Sequence, residues 1–458
     1  MLDPKIVAEL ESIVGEQYTL TTPEDLVAYS YDATFTSAKP DLIVLPSNTQ
    51  QVSEVLKVAN REVIPVVARG MGSGLAAGSI PFGGGIVMAL TRMDRLLEID
   101  RDNMMATAEA GIIASELAAA VAREGYLYPP DATSDSYSTL GGNIACNAGG
   151  ARCLKYGITG HYVMALEVVL ADGRIMRLGG KATKNVTGYD LVHLIVGSEG
   201  TLAVVTEATV RFIAAPETER MAQAFFPKLA DAGLAINAVL ASGANPSMIE
   251  IMDETAIKSV EEFLHMGLPL DIEAILLIQT DGDEADATRG IEIAAEICRQ
   301  KGANQVQVAT TAQERKDMWL ARGSISGSLG RIRPNKLGED VTVPHSAIPE
   351  MIARIKEISI KHNLPIVIFG HAGDGNLHPN ILFDKRDPEE SHRVEAAVGD
   401  LFQASVGVGG SLSGEHGVGV LKKPYLELAL GPVAVEMQKR IKQAWDPNNI
   451  LNPGKIFD

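Results

Sequence analysis

The chain has 458 residues, 46% of them apolar and 21% charged, enough for two or three domains with substantial cores. Acidic residues outnumber basic ones and leave a formal net charge of −18, so phosphate backbones and anionic bilayers would repel it, which argues against a general nucleic-acid or membrane-surface binder. No apolar run approaches the ~20 residues that span a bilayer. The opening MLDPKIVAEL has neither the basic start nor the apolar centre of a secretory signal, so a cytoplasmic protein without a transmembrane segment is expected. Three cysteines, Cys146, Cys153 and Cys298, show no C-x-x-C spacing, which disfavours zinc ribbons, redox dithiols and an iron–sulfur cluster held by this chain alone.

In chain order, Lys5–Val14 reads as a helix followed by a polar, irregular run. Gln51–Arg61 sets Val52, Val55, Leu56 and Ala59 on one helical face. Val63–Ala68 follows as a β-branched strand, Glu98–Ala110 as a strand pair, and Ile113–Glu124 as an Ala-rich helix stopped by Gly125. Residues 127–160 are loop-rich. Strands are expected at Ala165–Leu170, Ile175–Leu178 and Leu202–Phe212, and the texture changes near Ala214–Glu217. Beyond that point come a helix at Leu229–Ala241, a strand at Ala274–Thr280, a helix at Ala285–Lys301 and a strand at Gln305–Ala309. Helices follow at Pro349–His362, Glu395–Val406 and Ala434–Trp445. The alternation beyond a main boundary near 215 reads as a compact α/β or α+β domain.

Three clusters carry chemistry. Arg69-Gly70-Met71-Gly72-Ser73-Gly74 follows a strand, and glycines at every second position let successive N–H groups turn toward one anion. A Rossmann fingerprint would have to open a helix, whereas this chain runs on through Gly78, Pro81 and Gly83–Gly85; a Walker loop would need Lys-Ser/Thr. Pro129-Pro130-Asp131 leads to Gly141-Gly142-Asn143 and on through Asn147 to Gly150, and Gly197-Ser198-Glu199-Gly200 comes later. Three such backbone-approach loops suit an extended polar ligand such as a flavin dinucleotide.

The third cluster runs from Ile366 to Asn380. Asp374-Gly375 reads as a hairpin turn, which would set His371 directly opposite His378 across the strands, close enough for two imidazoles to share a metal. Asn380 lies two residues on from His378 and faces the same side. Glu415 of Ser413-Gly414-Glu415-His416-Gly417 offers a third ligand; two His and a carboxylate suit a catalytic divalent ion, Zn, Fe or Mn, with the adjacent His416 as a base.

Together these motifs resemble the FAD-linked 2-hydroxyacid dehydrogenases, which include glycolate oxidase flavin subunits and D-lactate and D-2-hydroxyglutarate dehydrogenases of the vanillyl-alcohol oxidase fold. The resemblance runs in order from about Tyr31 to Asn452-Pro453-Gly454-Lys455. It implies an α+β fold with an N-terminal FAD domain of two α/β subdomains at 1–215, a ferredoxin-like cap at 216–408 and a C-terminal segment, 409–458, that returns to the FAD domain. It implies that Arg69–Gly74, Pro130, Gly141, Gly142, Asn143, Asn147, Gly150, Glu199, Gly200 and Asn452 hold FAD. Some relatives attach the flavin through His or Cys in the first loop; Met71 and Ser73 stand here, so non-covalent FAD is expected, with Cys146 and Cys153 as packing residues.

Trp319-Leu320-Ala321-Arg322 matches the family's substrate-carboxylate arginine, and Lys336 its second cation, although Arg331 or Arg333 could serve instead. The reaction so implied takes a small 2-hydroxy acid, D-lactate foremost, to the 2-keto acid. His416 removes the hydroxyl proton, and electrons leave to an electron-transfer flavoprotein or an iron–sulfur subunit. Glycolate and 2-hydroxyglutarate, and oxidase against dehydrogenase, stay open. Two other classes compete: a flavin-free metallohydrolase on His371, His378 and Glu415, and a non-catalytic flavoprotein scaffold.

Overall fold

The computed structural model describes residues 2–457. They form two compact units, one of 2–149, 158–215 and 415–457, the other of 150–157 and 216–414. Gly150–Gly157, expected within the first segment, is thus an excursion into the second unit, where Lys155 Nζ and Tyr156 Oη both donate to the Asp281 carboxylate. The closing segment joins the first unit from Glu415 rather than from 409.

Among the described residues the first unit holds a four-stranded sheet, a five-stranded sheet and a two-stranded pair, Tyr126–Leu127 with Ile213–Ala214. In the four-stranded one, Leu42–Val44, Ile86–Ala89 and Val66–Arg69 run parallel, and Thr19–Leu20 adds an antiparallel edge. Their residues are apolar on both faces, as buried parallel strands require, and Ile43, Val67, Val87 and Ala89 form one cluster of that core. The helix Thr49–Glu62 connects Leu42–Val44 to Val66–Arg69, presenting the predicted Val52, Val55, Leu56 and Ala59 to the interior. The five-stranded sheet is antiparallel, in the order Leu96–Asp100, Met105–Glu109, Val204–Arg211, Val163–Val169, Ile175–Gly179. The C-terminal segment returns as an extra ladder contact: Val66 N–H donates to Ile450 and Asn452 N–H donates back to Val66.

The second unit is built on a mixed-length antiparallel sheet in the order Gln305–Val308, Thr218–Phe226, Ala274–Gly282, Met248–Asp253, Ile366–His371, Asn376–Phe383, Asn335–Gly338, with Val341–Thr342 also pairing Asn376–Phe383. Thr218–Phe226 and Met248–Asp253 were not foreseen from the sequence. On one face Phe225, Ile275, Met252, Phe369, Val367 and Leu382 pack with Ala256, Ile257 and Val260 of the helix Glu254–Leu264 and with Ala321 and Ile325. Residues directly opposed across antiparallel strands share a face. The apolar floor therefore continues, along the same strands, into Glu250, His371, His378, Asn380 and Lys336.

Among the described residues no helix is long and apolar enough to cross a membrane.

Candidate active site

The hairpin register differs from the expected one. His371 pairs with Asn376, and His378 pairs with Phe369. Ala372–Gly375 is a four-residue connection, not a two-residue turn on Asp374-Gly375, and it carries Gly375 at φ +81°. The shift moves the pairing by an even number of residues, so both histidines keep the same face and meet on the diagonal. Their ring centroids are 5.0 Å apart and nearly perpendicular, at 87°. Gly370 stands at φ +147°, and a Cβ there would lie 2.7 Å from the Asn376 carbonyl and 2.9 Å from the His378 amide nitrogen. Only glycine lets the two strands approach this closely beside the histidines.

Glu250 was missed from sequence. It lies one residue along the ladder from Ile251, whose partner is Gly370, and so faces His371. It is fully buried; its Oε1 is 2.6 Å from His371 Nδ1, and its Oε2 accepts from Arg322 Nε at 2.6 Å. Burial alone would raise the carboxyl, but the His371 ring and the Arg322 guanidinium outweigh it and hold the group at about 2. A signal was present in the sequence: Ser247-Met248-Ile249-Glu250-Ile251-Met252 sets a single carboxylate on one face of an otherwise apolar strand, which is costly without partners.

Arg322 ends the helix Ala312–Gly323, which a Thr311/Glu314 capping box starts. It is buried at 8% exposure, with its guanidinium 4.9 Å from the Phe369 ring. Its two terminal NH2 groups meet no protein acceptor among the described residues. Lys336 pairs with Leu382 on the same face, donates to Ser326 Oγ at 3.0 Å and is pushed down by burial. Asn380, 2% exposed, donates to the His378 carbonyl at 2.8 Å. Arg333 instead reaches toward Glu390 at 3.5 Å, and Arg331 toward the Glu262 carbonyl.

Glu415 is the residue at which the chain leaves the second unit. Its backbone is delivered by Gly414, whose amide donates to Asp340 Oδ2 at 3.0 Å; Ser413 Oγ donates to the same oxygen at 2.7 Å. Asp340, fully buried, also accepts from Asn376 Nδ2, the side chain opposite His371. A Cβ on Gly414 would sit 2.3 Å from Thr342 Oγ1, so this grip requires glycine. One ligand atom each of His371, His378 and Glu415 lies within 4.8 Å of the others. Two imidazoles and a carboxylate suit a divalent ion, and Glu250 on Nδ1 of His371 orients that ring so that Nε2 is the coordinating nitrogen.

In the first unit the three glycine loops converge. A Cβ on Gly70 would lie 2.3 Å from Thr139 Oγ1, and Thr139 caps the helix Leu140–Cys146 through the Gly142 amide. Gly141 packs against Ala110, where a Cβ would be 2.7 Å from the alanine methyl. Asn147 ends that helix at φ +53° and accepts from the Gly160 amide at 2.8 Å, while Asn143 is buried and Pro130 half-buried. The third loop docks on the same helix through Gly197 N–H to Ile144 and Glu199 N–H to Ala145. Arg69 is buried, folds beneath Gly72 and donates to Ser79 Oγ at 3.2 Å.

Among the described residues the amides of Gly70, Met71, Gly72, Ser73 and Gly74 donate to no protein acceptor. A run of unclaimed donors with an arginine beneath it fits the diphosphate of a dinucleotide. Glu199 and Asn452 do different work. The Glu199 carboxylate accepts from the Val418 and Gly419 amides at 2.7 Å each, and Asn452 Nδ2 donates to the Gly78 and Glu199 carbonyls. Both sew the C-terminal segment to the glycine loops, with Gly200 supplying a second left-handed residue after Glu199. Gly150 opens the excursion into the second unit, where its amide meets Cys153 Sγ at 3.1 Å. Burial pushes the Cys146 thiol up to about 12, the opposite of an activated nucleophile.

The fold and the two sites define a flavin-dependent oxidoreductase. Residues 40–179 match the FAD binding domain family, and 215–456 match the family described as FAD linked oxidases, C-terminal domain. The chain is 41% identical over its whole length to the glycolate oxidase subunit GlcD of Bacillus subtilis, covering 97% of that protein. It is 34% identical to the D-lactate dehydrogenase of Anaerostipes hadrus, over 99% of this chain and 96% of that one. The p-cresol methylhydroxylase structure superposes with a TM-score of 0.80 at 18% identity, over 99% of this chain and 96% of that one, and confirms the vanillyl-alcohol oxidase-type fold. The chain belongs to the FAD-linked oxidases and is an oxidoreductase of the glycolate oxidase and D-lactate dehydrogenase type.

Proposed function

We propose that this protein oxidises a small 2-hydroxy acid to its 2-keto acid, D-lactate to pyruvate in the first instance, and passes the electrons to an external acceptor such as an electron-transfer flavoprotein. The observation that carries the reading is one shared sheet face. Glu250 there joins His371 of a metal-type donor set to Arg322, a carboxylate-binding residue, with 2.6 Å contacts on both sides.

Arg322, tied to Glu250 through Nε, keeps two terminal nitrogens for the substrate carboxylate, and Lys336 adds a second charge on the same face. His371, His378 and Glu415 would hold the divalent ion. Bound, non-covalent FAD supplies the two-electron acceptor for the α-hydrogen, and the ion supplies Lewis acidity at the hydroxyl. His416 takes the hydroxyl proton; histidine is the side chain that changes protonation closest to neutral pH. Glu250 holds the His371 tautomer and stops Arg322 from drifting, so that both ends of a hydroxy acid are met by fixed groups.

Glycolate is the second reading, favoured by the identity to the Bacillus subtilis subunit. An anaerobic visible spectrum of metal-replete protein, before and after D-lactate or glycolate, tests both. Bleaching of the blue-region flavin band by D-lactate supports the first reading, and bleaching by glycolate alone selects the second. A yellow protein that responds to neither refutes the proposal.

A further inference from the structure

We infer that Asp32 is a hydroxyl-accepting station of the FAD site, its inward carboxylate oxygen taking a hydrogen bond from a sugar-type hydroxyl of the cofactor, on the ribitol or the ribose. The inference rests on reading the glycine loops as the FAD cradle. Asp32 is only 7% exposed, and its two oxygens differ. Oδ1 accepts from the Thr34 amide at 2.9 Å and from Thr34 Oγ1 at 2.6 Å. Oδ2 is buried and has no hydrogen-bond partner among the described residues.

That oxygen borders the end of the first glycine loop. It lies 3.9 Å from where a Cβ on Gly74 would stand, and apart from the flanking residues no other described residue comes within 4 Å of that point. The Ala33 amide donates to the Gly74 carbonyl at 3.2 Å, which ties the Asp32 segment to the loop. A bare glycine and an unmatched carboxylate oxygen thus face one space, and a buried acceptor left unmet costs about 1–3 kcal/mol. Within FAD the donor that fills it is not the diphosphate. A diphosphate offers only acceptors and negative charge, and its needs are already met by the Gly70–Gly74 amides and by Arg69. The parts of FAD that flank its diphosphate and carry donors are the ribityl and ribose hydroxyls.

The opposite possibility is a protonated Asp32 donating to a phosphate oxygen, and the Asn variant separates the two. The Thr34 amide is a fixed donor and requires an oxygen at the Oδ1 position. In Asp32→Asn the single carbonyl must stay there, so the NH2 group is turned into the cradle in place of an acceptor.

Full-length protein stripped of flavin, as wild type, Asp32→Asn and Asp32→Ala, is titrated with FAD and FMN by flavin fluorescence and with ADP by calorimetry. The stripped forms are first compared by thermal melting. Both variants are expected to bind FAD about 10–100-fold more weakly, the loss of one charge-assisted hydrogen bond. A loss shared by FMN but not ADP places the hydroxyl on the ribitol; one shared by ADP but not FMN places it on the ribose. Affinity within twofold of wild type in Asp32→Asn overturns the inference, whether or not Asp32→Ala is weakened. A wild-type protein that fails to take up FAD refutes the cofactor reading instead.

Discussion

Replacing Glu250 by Gln keeps the shape of the side chain and removes the charge that Arg322 and His371 share. The amide has one acceptor oxygen, so either Arg322 Nε or His371 Nδ1 would face an NH2 group at what is now a 2.6 Å contact. Arg322 is 8% exposed and cannot recover the loss from water. The neighbours hold the Glu250 carboxyl at about 2 against an ordinary 4.5. At about 1.4 kcal/mol per pH unit, they favour the carboxylate over a neutral group by about 3 kcal/mol at neutral pH. Breaking one side of a buried pair costs about 3–5 kcal/mol, in agreement. Because the folded-state value is depressed, this stability is present above the unfolded value and fades as pH falls from about 4.5 toward 2. Urea unfolding of metal-free protein at pH 7 reads it. Tryptophan fluorescence in a Trp445→Phe background leaves Trp319, three residues from Arg322, as the reporter. Metal affinity should fall about 10–100-fold as His371 loses its orienting partner. A stability loss under about 1 kcal/mol together with unchanged metal affinity would refute the bridging role.

Gly370→Ala should destabilise the second unit by about 2–3 kcal/mol, since the methyl meets the Asn376 carbonyl at 2.7 Å and the backbone sits at φ +147°; a urea midpoint unchanged from wild type would contradict this. Asp340→Asn should weaken metal binding about tenfold, read by chelator competition, with FAD affinity unchanged, because it loosens the Gly414 amide and Ser413 hydroxyl that deliver Glu415. His416→Ala should keep its flavin colour and lose about 100-fold or more in turnover with the reactive hydroxy acid, measured by steady-state kinetics. Lys455 is buried on the Ile80 carbonyl and Asn452 Oδ1, and burial lowers its ammonium to about 8 from 10.5. Between those two pH values the unfolded chain holds more protons, so wild-type stability relative to Lys455→Met should rise with pH by up to about 3 kcal/mol, followed by urea midpoints of both proteins.

Periodicity marked most long elements to within a few residues. The helix read at Gln51–Arg61 spans Thr49–Glu62, the helix read at Ala285–Lys301 spans Glu284–Gln300, and the strand read at Ala274–Thr280 spans Ala274–Gly282. The glycine loops were legible because bare backbone at regular spacing has few uses besides turning amides toward a ligand. The histidine pair was legible for its facing side but not for its register. A four-residue connection and a two-residue turn differ here by an even step, so the wrong register still predicted the right face. Thr218–Phe226 and Met248–Asp253 escaped notice because strands buried on both faces lack the alternation that marks half-exposed ones.

What the sequence by itself determined is local: which segments are helical or extended, which loops present bare backbone, and which side chains carry metal-binding and carboxylate-binding chemistry. The tertiary structure decided how these are wired. Glu250 lies 72 residues from Arg322 and 121 from His371, and it becomes their common partner only through the order and register of strands. Asp340 reaches the Glu415 turn across 74 residues, and Glu199 takes its two amides from 219 and 220 residues away. A buried carboxylate must find its donors somewhere in the fold, but strand order and sheet register, set by the packing of the whole core, choose which donors those are.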